Sequence, residues 1–185
     1  MLGHANLKLI AVMFLISGIA MGVTQPLDVF VTMNRLGLPK ESVQWFAAAE
    51  GAGMLAGGLL AAVLTAQITR YRRGVITVIM IIWAVITAIE VLSVWPVLTG
   101  SARVLSGIAT AFFQVSFSAM MIQEIREEYI GRTNGIIIPL MMGGMLLGSA
   151  SSGFIVAQLD LMGAYFIAAA LTLGCVVFTA RLKFS

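Results

Sequence analysis

Six long stretches without a charged residue recur along this chain of 185 residues, and they constrain its fold more than any other feature. They cover residues 9–27, 51–69, 74–89, 104–123, 133–159 and 161–180. Most are close to the ~20 residues that an α-helix needs to cross ~30 Å of hydrocarbon. Because 60% of the residues are hydrophobic and only 10% are charged, a water-soluble domain would lack the polar residues to cover its surface. We therefore expect lipid to surround most of the chain.

The apolar stretches predict an all-α protein with six transmembrane helices. We place the spans at about 8–33, 43–68, 75–95, 97–123, 133–158 and 160–181, in one bundle that takes up residues 1–185. The third span continues past Glu90 to Trp95. Segments of ~10 residues with alternating polarity, which would indicate a membrane β-barrel, do not occur. The first stretch resembles the later ones, so we interpret it as a span and not as a removable signal.

Basic residues predict how the bundle is oriented. Six helices put both termini and the second and fourth connectors on one side of the membrane. That side carries Lys8, Arg70, Arg72, Arg73, Arg126, Arg132, Arg181 and Lys183. The other side has Arg35 and Lys40, with Arg103 inside the fourth span near that face. The positive-inside rule then predicts that both termini lie in the cytoplasm, and we expect a multi-pass protein of the plasma membrane. Fixing the topology and binding lipid phosphates explain most of these cations, and we expect no nucleic-acid partner.

The reactive side chains are too few and too scattered for an enzyme. Cys175 is alone in the last span and His4 is alone in the N-terminal tail, so one chain cannot build a zinc site or a disulfide framework. A serine nucleophile would lack a base, since the lysines lie at span ends or in a loop. No glycine is followed by lysine, so a phosphate-binding loop is missing. We expect no enzymatic activity, no metal and no cofactor.

Glycine pairs predict close helix packing. Gly18 and Gly22 share a helix face, and such pairs let two helix backbones approach closely. The segment Gly53–Gly57 of the second span resembles Gly144–Gly148 of the fifth. Each lies in the middle helix of a triplet, which is the relation that a three-plus-three inverted repeat predicts.

Ionisable residues inside the spans are the main candidates for function, because each costs several kcal/mol at mid-bilayer. They are Asp28, Glu50, Glu90 and Arg103. Each lies roughly 7 to 11 Å from the outer end of its helix, so we expect one layer of charge. Arg103 can neutralise one acid and leave another, for which we select Glu50, to titrate or to bind a cation. Gln25 and Gln114 add hydrogen-bonding groups deeper in the bundle. The alternative is that the charges only fix helix register.

Several local motifs resemble those of a known family. The connector Arg70–Arg73, the spacing of Arg103 and Gly107, and the loop Glu127–Arg132 before a glycine-rich span at 133–158 carry the resemblance. Together they resemble the C-terminal six-helix half of a major facilitator superfamily transporter, and bacterial multidrug or macrolide-type efflux members in particular. The chain departs from the full loop motif at Thr65 and Thr69.

The resemblance implies a secondary transporter that exports small amphipathic molecules by alternating access. Asp28 and Glu50 would take the proton or cation role, and Arg103 would compensate charge. The cytoplasmic gate would use Arg70, Arg72, Arg73 and Arg132. Because the family has twelve spans, it also implies a separate N-terminal six-helix half or self-association.

Other readings remain open at this point. The segment Pro139–Gly144 does not match the antiporter motif of the family, which weakens the assignment as a proton-driven exporter. A non-transporting scaffold, an inert remnant of a split gene, and a carrier or channel complete in itself are the alternatives.

Overall fold

The computed structural model describes residues 4–124 and 127–181. It gives no side-chain description for 4–7, 69, 72, 73, 119–124, 127–130, 132 and 179–181. Within the two described ranges every regular element is a helix and none is a strand, which confirms the predicted all-α class.

The main helices are α1 His4–Thr24, α2 Val43–Val63, α3 Arg72–Leu92, α4 Pro96–Glu124, and a last helical segment Glu127–Arg181. The backbone of Asp160 leaves helical geometry at φ 60° and ψ 177°, so we call 127–159 α5 and 161–181 α6. The apolar part of this segment, Thr133–Phe178, has 46 residues. A straight helix of that length would measure ~69 Å, more than twice the hydrocarbon thickness of ~30 Å. The break at Asp160 therefore lets the segment cross the membrane twice.

The helix is discontinuous beyond the C-terminal end of α1. A 3₁₀ turn at Gln25–Leu27 follows α1, then a short α-helical turn at Asp28–Phe30, and then a π-helical stretch at Val31–Arg35. Pro26 lies in the 3₁₀ turn and has no amide hydrogen to donate to the preceding turn. As a result Asp28 lies directly after a break in the helix, within a span.

The ends of α2 and α3 differ from the predicted spans. α2 ends at Val63, and a short separate helix, Thr65–Arg70, follows it. α3 ends at Leu92, because Ser93 is extended and Pro96 begins α4. A residue before proline disfavours helical geometry, and Trp95 precedes Pro96. The backbone amide of Trp95 instead donates to the Ser93 hydroxyl over 3.2 Å.

Glycines hold α1 tightly against α5. Gly18 and Gly22 on α1 lie so close to the backbone of α5 that an added Cβ would overlap it, and Gly144 and Gly148 on α5 face α1 in the same way. The predicted pairs Gly18/Gly22 and Gly144/Gly148 therefore meet at one interface.

A second tight pair joins α2 to α4. Gly53 and Gly57 on α2 lie against the backbone of Val104 and Ile108, and Gly107 on α4 lies against Glu50. α1 and α4 are the first helices of the two triplets, while α2 and α5 are the middle ones. In a three-plus-three repeat α1 corresponds to α4, and α5 corresponds to α2. The contact of α1 with α5 is therefore repeated in the contact of α4 with α2.

Two apolar clusters lie at opposite ends of the bundle. One contains the buried side chains Ile10, Met13, Ile76 and Ile137, packed with Phe14, Phe113, Phe117 and Phe178. Since Ile10 is near the start of α1 and Phe178 near the end of α6, both ends of the described chain lie on this side. We call this group of eight the terminal-side cluster. The other contains Val23, Leu27, Val31, Val91, Ala164 and Tyr165.

Replacing Gly148 by alanine tests the α1–α5 interface. The new Cβ would overlap the backbone of α1 at Ile19 and Val23, and forced overpacking of this kind costs about 1–3 kcal/mol. We expect a lower thermal denaturation midpoint for Gly148→Ala in detergent. Gly153→Ala is the matched control, because nothing lies within 4 Å of its added Cβ. Equal midpoints for the two variants would contradict the close approach.

Candidate functional site

Four ionisable side chains from four helical segments meet at one point. Nη2 of Arg103 donates to Oδ1 of Asp28 over 2.5 Å, and Nη1 donates to Oε2 of Glu50 over 3.3 Å. Nε of Arg103 lies 2.8 Å from Oε1 of Glu90. One guanidinium therefore contacts three carboxylates, and the residues that the sequence placed in one layer form one cluster.

The packing of α2 on α4 explains part of this geometry. Gly107 lies one turn after Arg103 on α4, and its missing side chain lets the carbonyl of Glu50 come into contact with the α4 backbone. A larger residue at 107 would separate the helices. The short distance between Glu50 and Arg103 therefore depends on a glycine.

Tyr165 on α6 is a member of the cluster that the sequence analysis did not identify. Its hydroxyl donates to Oδ1 of Asp28 over 2.8 Å, and the residue is completely buried. A buried tyrosine usually finds a partner for its hydroxyl. A tyrosine inside an apolar span was the available signal, but its position does not reveal which acid it contacts.

The three carboxylates differ in access to solvent and in contact with Arg103. The side chain of Glu90 is 9% exposed, that of Asp28 is 20% exposed and that of Glu50 is 32% exposed. The contact from Nε to Glu90 is an ion pair and not an aligned hydrogen bond, since Nε has no hydrogen-bond partner among the described residues. Glu50 combines the longest contact with the greatest exposure, so it is the acid that a proton or ligand reaches most easily.

The charges of the cluster do not balance. With every group ionised, three carboxylates and one guanidinium leave two negative charges in a partly buried site. An uncompensated charge in a low-dielectric interior is costly, typically several kcal/mol. The arrangement therefore favours binding of a proton or of another cation.

All four charged side chains line a cavity of about 340 Å³. α1 with its continuation, α2, α3, α4 and α6 contribute the wall. Trp83 also lines the cavity, and its ring centroid is 5.4 Å from that of Phe113, which packs with Phe14 and Phe117. The cavity wall is thus continuous with the terminal-side cluster.

The two glutamines of the predicted site lie in different places relative to the cavity. Gln25 is exposed and lines the cavity beside Asp28. Gln114 is also exposed, contrary to the expectation of a place deep in the bundle, and it does not line the cavity. It follows Arg103 by eleven residues, which is ~16 Å along α4, so it lies beyond the reach of the cluster.

The residues predicted for a cytoplasmic gate are only partly described. Arg70 is exposed, and its guanidinium carbon lies 5.4 Å from the ring centroid of Tyr71. The side chains of Arg72, Arg73 and Arg132 lie outside the described residues.

A family comparison decides the class of protein. The family model described as Major Facilitator Superfamily matches residues 9–184, almost the whole chain. The chain belongs to the major facilitator superfamily. Its members are membrane transporters, and the chain is accordingly a multi-pass membrane protein with an all-α half-fold of this family. No curated protein and no solved structure matches the chain.

Removing Arg103 tests the charge balance of the cluster. Arg103→Gln leaves three carboxylates without their cation, and breaking a buried pair in this way costs about 3–5 kcal/mol. We expect a strongly lowered denaturation midpoint in detergent. The double variant Arg103→Gln/Glu90→Gln removes one of the unpaired charges and should regain part of the loss. Lys40→Gln, which alters an exposed cation outside the cavity, should leave the midpoint unchanged. A double variant no more stable than the single one would show that charge repulsion does not govern the site.

Proposed function

We propose that this chain is one half of a secondary active transporter that exports small amphipathic molecules by alternating access. The observation that carries the proposal is the unbalanced charge cluster in the wall of a cavity, in a member of a transporter family. Charge inside a membrane bundle is costly, so it marks an ion or substrate pathway by default.

In this proposal Glu50 takes up and releases the coupling proton or cation. Its exposure and its long contact to Arg103 support that role. Asp28 is the second coupling acid, since Tyr165 and Arg103 both donate to it and can follow a change in its charge. Glu90, the least exposed of the three, holds Arg103 in place when the other acids exchange partners.

A second six-helix half, or a second copy of this chain, completes the transporter in our proposal. Support comes from the exposure of α2. In the apolar window of the span Lys40–Val63 only 17% is buried, against 28–39% in the other candidate spans. Its exposed side chains include Leu55, Leu59 and Val63. Alternating access in such folds is a rocking of one bundle against another around a fixed site, and α2 offers a face for that contact.

The proposed setting is the plasma membrane, with both termini in the cytoplasm. The eight basic residues on that side of the predicted topology support this orientation. The connector around Arg70 and the loop at Arg132 would then form the cytoplasmic gate.

Transport is tested by producing the chain in bacteria together with an N-terminal six-helix half of the same family. We expect export of an amphipathic dye that neither half supports alone. Glu50→Gln should lower gradient-driven export at least about tenfold, a typical effect of removing a proton-transfer group. Glu41→Gln, the same chemical change at an exposed position outside the cavity, should have no effect.

Two results would contradict the proposal in different ways. Export that survives Glu50→Gln unchanged would remove Glu50 from the coupling mechanism. If no combination exports the dye and the neutralising substitutions change only the yield of folded protein, the non-transporting scaffold is the better description.

A further inference from the structure

Hydroxyl groups in the cavity wall present hydrogen-bond acceptors to its interior. Five threonines of the wall donate their hydroxyl proton to a backbone carbonyl three or four residues earlier in the same helical segment. They are Thr24, Thr32, Thr87, Thr110 and Thr172. A hydroxyl whose proton is used in this way still has lone pairs to offer. Together with three carboxylates, these oxygens give the wall many hydrogen-bond acceptors.

Thr99 provides an independent sign that a ligand is expected. It lines the cavity one turn before Arg103 on α4 and is 3% exposed. Its hydroxyl has no hydrogen-bond partner among the described residues. Burying such a group without a partner is unfavourable, and a polar group of a ligand would remove that cost.

The wall also limits the size and kind of ligand. A volume of about 340 Å³ is near the lower end of ligand pockets, which run from ~300 to ~1,000 Å³. Trp83 and Phe46 supply aromatic surface, on which an organic cation can rest. Trp83 precedes Glu90 by seven residues, or ~10 Å along α3, so the cavity wall of one helix carries both an aromatic ring and a carboxylate.

The cluster is already arranged around a guanidinium. Arg103 lies between the three carboxylates, and no group of three His, Cys, Asp or Glu side chains in the described ranges is placed to surround a metal ion. A ligand with a planar head group and several N–H donors could contact the same carboxylate oxygens as the guanidinium of Arg103. Planar groups of this kind bind carboxylates through paired hydrogen bonds.

We propose that the cavity binds a small organic cation with a guanidinium head group, which competes with Arg103 for the carboxylate of Glu50. The head group accounts for the excess negative charge, the acceptor-rich wall and the unpartnered hydroxyl of Thr99. The inference names the substrate class for the site of the proposed function and rests on it.

Three probes of similar shape separate charge from hydrogen-bond donation. Benzylguanidinium carries both, benzylurea is neutral but donates hydrogen bonds, and benzyltrimethylammonium is a cation without a donor. Binding to the purified chain in detergent is measured by calorimetry, with no ion gradient and no second half. We expect benzylguanidinium to bind at least about tenfold more tightly than either of the other probes, since charged hydrogen bonds are about twice as strong as neutral ones.

Two variants with matched controls locate the binding. Glu50→Gln should weaken benzylguanidinium binding at least about tenfold, and Thr99→Val, which keeps the shape and removes the hydroxyl, about threefold to tenfold. Glu41→Gln and Thr65→Val make the same changes at exposed positions outside the cavity and should bind like the unaltered chain. Circular dichroism and size-exclusion chromatography select the variants that are folded.

Each outcome decides the inference. Equal binding of benzylguanidinium and either other probe, no binding of any probe, or a folded Glu50→Gln variant with unchanged affinity would each overturn it. Because binding is measured without transport, the two proposals fail separately. Selective binding by a chain that never exports supports this inference and contradicts the transport function. Export without selective binding supports the transport function and contradicts this inference.

Discussion

The contact of one guanidinium with three carboxylates is the constraint on which the rest of this bundle depends. Arg103 links α4 to α2, to α3 and to the segment that continues α1, and Tyr165 extends the link to α6. Each of these charges is costly in a membrane interior unless it is paired. The helices that carry them must therefore stay close together.

Glycine provides the close packing that this arrangement needs. Apolar side chains gain little by leaving lipid for a protein interior, so helix association in membranes relies on close backbone contact. Gly53, Gly57 and Gly107 bring α2 and α4 together on one side, and Gly18, Gly22, Gly144 and Gly148 join α1 and α5 on the other. The cavity is lined by α1 with its continuation, α2, α3, α4 and α6. The same small residues thus set both the fold and the position of the charges.

Much of the fold and part of the candidate site could be predicted from the sequence. Hydropathy identified apolar helices because the bilayer demands a minimum length of them, and the rarity of charge in spans selected Asp28, Glu50, Glu90 and Arg103. Tyr165, Thr99 and Trp83 were missed, since a tyrosine, threonine or tryptophan in an apolar helix is common and carries no local sign of its neighbours. The sequence analysis also counted Gln114 among the candidate site residues. Whether a residue of α4 lines the cavity depends on how the helices pack, and the sequence does not show that packing.

The sequence by itself determined that the chain is helical, crosses a membrane and carries buried charge, because these follow from local composition and the thickness of the bilayer. Only the tertiary structure decided that a single arginine faces all three acids, that Glu50 is the most accessible of them, and that Asp160 divides the last helical segment. Those features depend on how distant segments approach one another and on backbone angles. Spacing along a chain does not encode such distances.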